Sequence, residues 1–232
     1  MTQIEKTTTR PQAEPQLTRI RLTYAQQDGL RYVSHLDMHL VWERTLRRAG
    51  VPLAYSQGFR PHPRLHLASA LPLGFLSRKE IADFWIQAGE DEARERLPEM
   101  IAEIQASAPP GLVINRAEIV PLSLPALQTQ VQSAEFIALP LDPIDVEALK
   151  EKISALLEAP ALPRERRGKP YDLRPLVLKL EVHIEEETGR TGLYMHLSAR
   201  ERATGRPEEV LLALGFDPAA FRVERTELIL AD

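Results

Sequence analysis

The chain contains no cysteine. Disulfides, zinc–thiolate sites, thiol nucleophiles and cysteine-ligated iron–sulfur clusters are therefore excluded within it. No apolar run reaches the length of a membrane span, and no signal-peptide core stands at the N-terminus, so a cytoplasmic protein with no membrane partner is expected. The sequence also lacks GxxxxGK(S/T), a GxGxxG after a strand, a GxSxG elbow and an HExxH helix. Nucleotide hydrolysis, dinucleotide redox chemistry and serine hydrolysis thus lack their usual parts.

What is present is ordinary globular composition, with 44% hydrophobic and 27% charged residues among 232. That length suits one large domain or two small ones. Residues 1–16 are rich in Thr, Gln and Pro and read as a disordered tail. The net charge is −4, which argues against a protein coated in nucleic acid. One window departs from that balance. From Arg31 to His66, six arginines face only Asp37 and Glu43, a local +4 that leaves −8 for the remainder. The same window holds four of the six histidines. A basic island on an acidic body points to an anionic partner.

Hydrophobic periodicity gives the element order. Arg19 to Tyr24 alternates as a half-buried strand, and Ser34 is positioned to cap a helix over 35–49. That helix is expected to bury Leu36, Leu40, Trp42 and Leu46 and to expose Arg44, Arg47 and Arg48. Extended segments follow at 52–56 and 65–71, joined by the Gly/Pro-restricted stretch 57–63, then a strand at 79–88, a helix at 91–107 and a strand at 112–120. The second half reads as a strand at 131–139, a helix at 143–159 capped by Asp142, strands at 176–185 and 191–199, a short helix at 207–214 and a strand at 221–230. Both halves follow the βαββαβ order of a ferredoxin-like unit. The α+β fold expected is two consecutive ferredoxin-like units with antiparallel sheets, over 17–121 and 127–232, with Pro121–Ala126 as linker. No sequence repeat accompanies the repeated order.

Several constellations bear on chemistry. His35 and His39 are four apart on the helix, and His62 and His66 share one side of an extended segment. That spacing suits a metal, but it equally suits separate hydrogen-bonding histidines, and no Glu follows His35 as in metal-hydrolase helices. No metal is expected. His35 and His62, assisted by Tyr55, offer an alternative catalytic set for RNA cleavage or modification, because imidazole transfers protons near neutral pH beside guanidinium groups. The stronger pattern is phosphate binding by Arg44, Arg47, Arg48, Arg60 and Arg64, with Tyr55 and Phe59 stacking on bases and His62 hydrogen-bonding. A second basic run, Arg164-Glu-Arg-Arg-Gly-Lys-Pro-Tyr171, reads as a loop that adds Arg166, Arg167 and Lys169 to the RNA-binding set.

Tyr32-Val-Ser-His-Leu-Asp37, Arg47-Arg-Ala-Gly50, Tyr55-Ser-Gln-Gly-Phe-Arg-Pro-His-Pro-Arg64 and Leu71-Pro-Leu-Gly74 resemble the radical SAM-linked domain family of unknown function. Asp172-Leu-Arg174, Arg206-Pro207 and the stretch 222–230 resemble that family's C-terminal half. The resemblance implies a domain fused to, or encoded beside, a radical SAM protein that often carries a cobalamin-binding region. With no cysteine here, the cluster-dependent chemistry falls to that partner, and no cofactor is expected in this chain. The leading expectation is a non-enzymatic RNA-binding or substrate-presenting accessory domain, acting on tRNA, rRNA or a related target. The alternatives are an RNA-processing or RNA-modifying enzyme using His35 and His62, and a protein-interaction domain docking the radical SAM partner. Nothing in these patterns assigns an oligomeric state.

Overall fold

The structure, a computed structural model, describes residues 16–231. The stretch read as a disordered tail lies outside the described residues except for Gln16. The first unit contains β1 (Thr18–Gln26), α1 (His35–Arg48), β2 (Leu65–Leu67), β3 (Leu76–Ile86), α2 (Glu90–Ser107) and β4 (Leu112–Val120). A one-turn helix, α3 (Leu127–Gln130), leads into the second unit. That unit contains β5 (Val131–Pro140), α4 (Val146–Glu158), a hairpin of β6 (Pro163–Arg166) and β7 (Lys169–Asp172), and β8 (Val177–Ile184). It finishes with β9 (Thr191–Arg200), β10 (Ala203–Thr204), α5 (Pro207–Ala213) and β11 (Phe221–Leu230).

The strand orders β4-β1-β3-β2 and β11-β5-β9-β8 are those of two ferredoxin-like units, each antiparallel within itself. A feature the element order did not reveal is that β3 and β11 pair in parallel, merging the units into one sheet. Because the units share one orientation, their right-handed crossovers put α1, α2, α4 and α5 on the same face. That face carries the two apolar cores. Trp42, Leu46 and Met38 of α1 pack on Ile20, Leu22 and Phe84, and Tyr24 meets Trp42 edge to face at 4.9 Å. In the second unit, Leu149, Ile153 and Leu156 of α4 and Val210 and Leu211 of α5 cover Phe136, Ala138 and Met195.

Local chemistry explains the helix ends. The Ser34 hydroxyl accepts from Asp37 N at 3.2 Å, the expected cap. For α4 the cap is Asp145, not Asp142, accepting from Ala148 N at 3.0 Å. The helix therefore starts later than expected, leaving Ile144 before it to pack on the core.

Other expectations need correction. Leu36 and Leu40 do not enter the core, since the buried positions Met38, Trp42, Thr45 and Leu46 define the inward face and leave both leucines on the outside. The segment 52–56 forms only isolated bridges, Leu53 to Ile86 and Tyr55 to Pro63, because the 57–63 connection interrupts the ladder. The basic run at 164–171 is a hairpin rather than a loop. Its two-residue turn places Arg167 at φ 52° and Gly168 at φ 75°, the left-handed pair that matches strand twist.

The polar side of β1 is not solvated. Arg19 and Asp83 are buried, and Arg19 donates to Asp83 Oδ2 through Nε at 2.9 Å. Arg21 donates to Asp83 Oδ1 at 2.8 Å. The linker lies over this face, with Leu124 and Pro125 carbonyls accepting from Arg19 at 2.8 and 3.0 Å. Asp83→Ala strands two arginines without their carboxylate and should lower unfolding free energy by about 3–5 kcal/mol, read from the denaturant midpoint. Arg78→Ala, which removes only the exposed pair with Glu224, should cost less than about 1 kcal/mol. Equal effects from the two variants would contradict this account.

Candidate functional site

The seam between the units is built from a register irregularity. Tyr24 pairs with Glu80 but Gln26 pairs with Ser77, so β3 carries one extra residue as a bulge. The bulge turns Ser77 and Glu80 to the helix side together, the side on which Arg225 arrives opposite Ser77. Arg225 Nε donates to Glu80 Oε1 at 2.7 Å, and Nη2 engages the other carboxylate oxygen. Both side chains are buried, and Arg225 Nη1 also donates to Ala70 O at 3.2 Å.

Three cavities adjoin along this seam. A small one is lined by Tyr24, His35, Met38, Ser69, Leu71 and Glu80. It shares Ser69 and Leu71 with a cavity of about 220 Å³ between the units, lined also by Phe136, Thr204, Arg206 and Arg225. Thr204 and Arg206 in turn line a cleft of about 460 Å³ beside the β6–β7 hairpin. Around that cleft stand Arg166, Arg167, Lys169, Arg202 and Arg206, with Tyr171 as its aromatic member. Among the described residues, none of those five cationic side chains has an ion-pair or hydrogen-bond partner. The single acid in the lining, Asp172, already accepts from Leu162 N and Arg174 N.

His35 sits at the far end of this trough. Burial holds its pKa below the ordinary value, reinforced by His39 and Arg225 and opposed by Glu80. The Tyr24 phenol is pushed upward by burial and then by the Glu80 charge. His39 Nε2 lies 3.1 Å from Leu65 O, which ties α1 to β2. His66 packs edge to face on Trp85 at 4.9 Å, and burial followed by the Arg19 charge lowers its pKa.

The remaining residues singled out in the sequence lie elsewhere. Arg44 and Arg48 are exposed on α1, and Arg47 pairs with Glu43 at 2.9 Å. The Arg64 guanidinium lies 4.7 Å from the Trp85 ring centre, on the sheet face opposite the helices. Ser56 and His62 close the connecting loop, with Ser56 N donating to His62 O at 2.8 Å and His62 N donating to Ser56 Oγ at 3.0 Å. Its tip exposes Arg60 and the whole Phe59 ring, while Tyr55 is partly exposed at its base. His35 and His62 stand on different elements, and no hydrogen bond joins them. Arg166, Arg167 and Lys169 do converge, with Tyr171 of the same run; Arg202 and Arg206 join them in the cleft and Arg225 lines the adjoining cavity, none of the three having been assigned a binding role from the sequence. Besides the basic run, Arg206-Pro207 at a helix start is a sequence signal that falls in that corner. Among the described residues, no group of three His, Asp or Glu is placed to hold a metal ion. No helix among them is long and apolar enough to cross a membrane.

Residues 19–207 match a family model described as an uncharacterized protein conserved in bacteria. No curated protein matches the chain. Similar solved structures include the small subunit of acetolactate synthase from Thermotoga maritima, at 10% identity and TM-score 0.25, covering 92% of this chain and 95% of that one. A putative chlorite dismutase is similar at 15% identity and TM-score 0.26, covering 93% and 95%. Likeness at those scores carries no inference about activity.

The electrostatics of His35 are directly measurable. In an NMR titration its imidazole should have a midpoint below about 6.5. His39→Gln keeps an N–H donor for Leu65 O and should move that midpoint upward. A wild-type midpoint at or above the ordinary value would contradict burial at this end of the trough.

Proposed function

The chain belongs to the DUF2344 family of uncharacterized bacterial proteins, and from that premise we propose that it is an RNA-binding accessory domain that presents RNA to a separate radical SAM enzyme. The observation that carries the RNA half is the cleft where Arg166, Arg167, Lys169, Arg202 and Arg206 stand unpaired and which continues along the seam to Arg225. Arginine forks match phosphate oxygens two at a time, and Tyr171 offers a face beside them on which a base can stack. The seam supplies a path for a strand rather than a single contact. On this reading the arginines of α1 and the 57–63 loop form an outer basic surface, and Phe59 is its stacking residue.

The radical SAM half rests on the resemblance carried by the Tyr55–Arg64 motif and on composition. A cysteine-bound cluster has no ligands in this sequence, so on this reading the cluster-dependent chemistry belongs to the partner. Leu36 and Leu40 lie on the outside of α1, exposed by 78% and 45%, and Tyr32, exposed by 72%, stands in the turn just before the helix. Leu73 adds to this patch, since its neighbour Gly74 lies against the Tyr32 ring and accepts from Arg31 Nε at 2.8 Å. An apolar patch of this kind suits protein docking and gives the partner a place separate from the RNA trough.

The test is fluorescence anisotropy with single-stranded RNA across a salt series. Replacing Arg166, Arg167 and Lys169 together by alanine should weaken binding at least about tenfold and reduce the slope of log K against log salt by about 2. Leu36→Asp with Leu40→Asp should leave RNA binding unchanged and abolish capture of a radical SAM partner protein. An unaltered salt slope in the triple variant would remove the support for RNA in this cleft.

A further inference from the structure

Two of the cleft's five cations occupy backbone positions that L side chains rarely adopt. Arg167 has φ 52° at the tip of the β6–β7 hairpin, and Arg202 has φ 64° in the turn between β9 and β10. Glycine would fit both positions without strain. Arginine there accepts backbone strain and places a guanidinium on each of two turns that face one cleft. With Arg166, Lys169 and Arg206 opposed only by Asp172, the lining sums to five positive and one negative charge.

That density exceeds what the interior of an RNA strand supplies. A cleft of about 460 Å³ has the size of a small-ligand pocket, room for about one nucleotide. One internal nucleotide brings a single diester charge. A phosphomonoester end brings nearly two at neutral pH, and an oligophosphate end brings more. Compact multivalent anions of this kind also present several oxygens to separate guanidinium forks at once.

We infer that the cleft between the Arg167 and Arg202 turns recognises a terminal phosphate group, mono- or oligophosphate, of a nucleotide chain. The inference rests on the RNA-binding reading and deepens it by assigning the cleft to the end of the strand and the seam to the nucleotides that follow. Thr204 and Arg206, which line both cavities, mark the passage from one to the other. An end-specific anchor sets the register of the chain along the seam, which a row of diester contacts does not do.

The experiment measures binding of one short RNA carrying hydroxyl, 5′-phosphate, 5′-triphosphate or 3′-phosphate ends, with ATP and inorganic phosphate as competitors. A phosphorylated end should bind at least tenfold tighter than the hydroxyl-ended strand. Arg167→Gly with Arg202→Gly should erase that advantage, so that the phosphorylated and hydroxyl-ended strands bind the variant equally, the loss being at least tenfold larger for the phosphorylated strand. Glycine is favourable at both φ values, so the double variant should retain its thermal midpoint and loss of binding is not loss of fold. Competition by ATP as effective as the phosphorylated RNA supports the terminal-phosphate site and assigns its source to a free nucleotide. Equal affinity for all four ends overturns the inference while the RNA-binding reading stands. Tight ATP binding that depends on Arg167 and Arg202, with no RNA bound, supports the phosphate site and overturns the RNA-binding reading.

Discussion

Glu80 and Arg225 meet in the interior where the two units join, and the arrangement of the protein's helix side follows from that contact. The parallel ladder between β11 and β3 has two residue pairs, Glu224 with Leu76 and Arg225 with Ser77. So short a parallel ladder gives weak register on its own. The buried ion pair adds a directional constraint, because either charge left alone in that environment would cost about 3–5 kcal/mol. It is satisfied in one alignment, in which the bulge in β3 presents Glu80 to the arriving guanidinium. The same arginine then binds Ala70 O, which fixes the segment that lines the central cavity.

The trough is a consequence of joining two such units in the same orientation. All four longer helices fall on one face, so a valley runs between the helix pair of one unit and that of the other. The β6–β7 hairpin and the β9–β10 turn enclose its second-unit end, and His35 at the start of α1 lines its first-unit end. The opposite face is treated differently. There the linker covers Arg19, Arg21 and Asp83, and the guanidinium groups of Arg19 and Arg64 lie 5.0 and 4.7 Å from the Trp85 ring centre. Buried charge on that face serves packing, whereas on the helix side, beyond the Glu80–Arg225 pair, the cations around the cleft have no partner among the described residues.

The βαββαβ order could be read twice from the sequence because it depends on local periodicity, capping and turn residues. Ser34, Asp28-Gly29 and the alternation in β1 are all local signals. The merger of the two sheets is not local. It pairs residues about 150 positions apart through two positions whose side chains give no pattern. Asp83 within Ile81-Ala-Asp-Phe-Trp-Ile86 went unassigned in the sequence, although a lone acid in an apolar strand needs a buried partner. On α1 the apolar residues covered too broad an arc to separate Leu36 and Leu40 from the core positions. For the site, the count of arginines drew attention to residues 31–66, but spacing along a chain does not say which cations share a cavity. Arg166, Arg167 and Lys169 were identified as a run, whereas Arg202, Arg206 and Arg225 come from separate strands and turns that only the tertiary fold assembles.

The central claim is that RNA lies along the helix-side seam. Amide chemical-shift mapping of the full chain with a short single-stranded RNA tests it most directly. The account predicts perturbations at 166–171, 202–206 and 69–72 that extend to His35, with the sheet face around Trp85 unaffected. Perturbations confined to Arg44, Arg47, Arg48 and the 57–63 loop, with the seam silent, would contradict it.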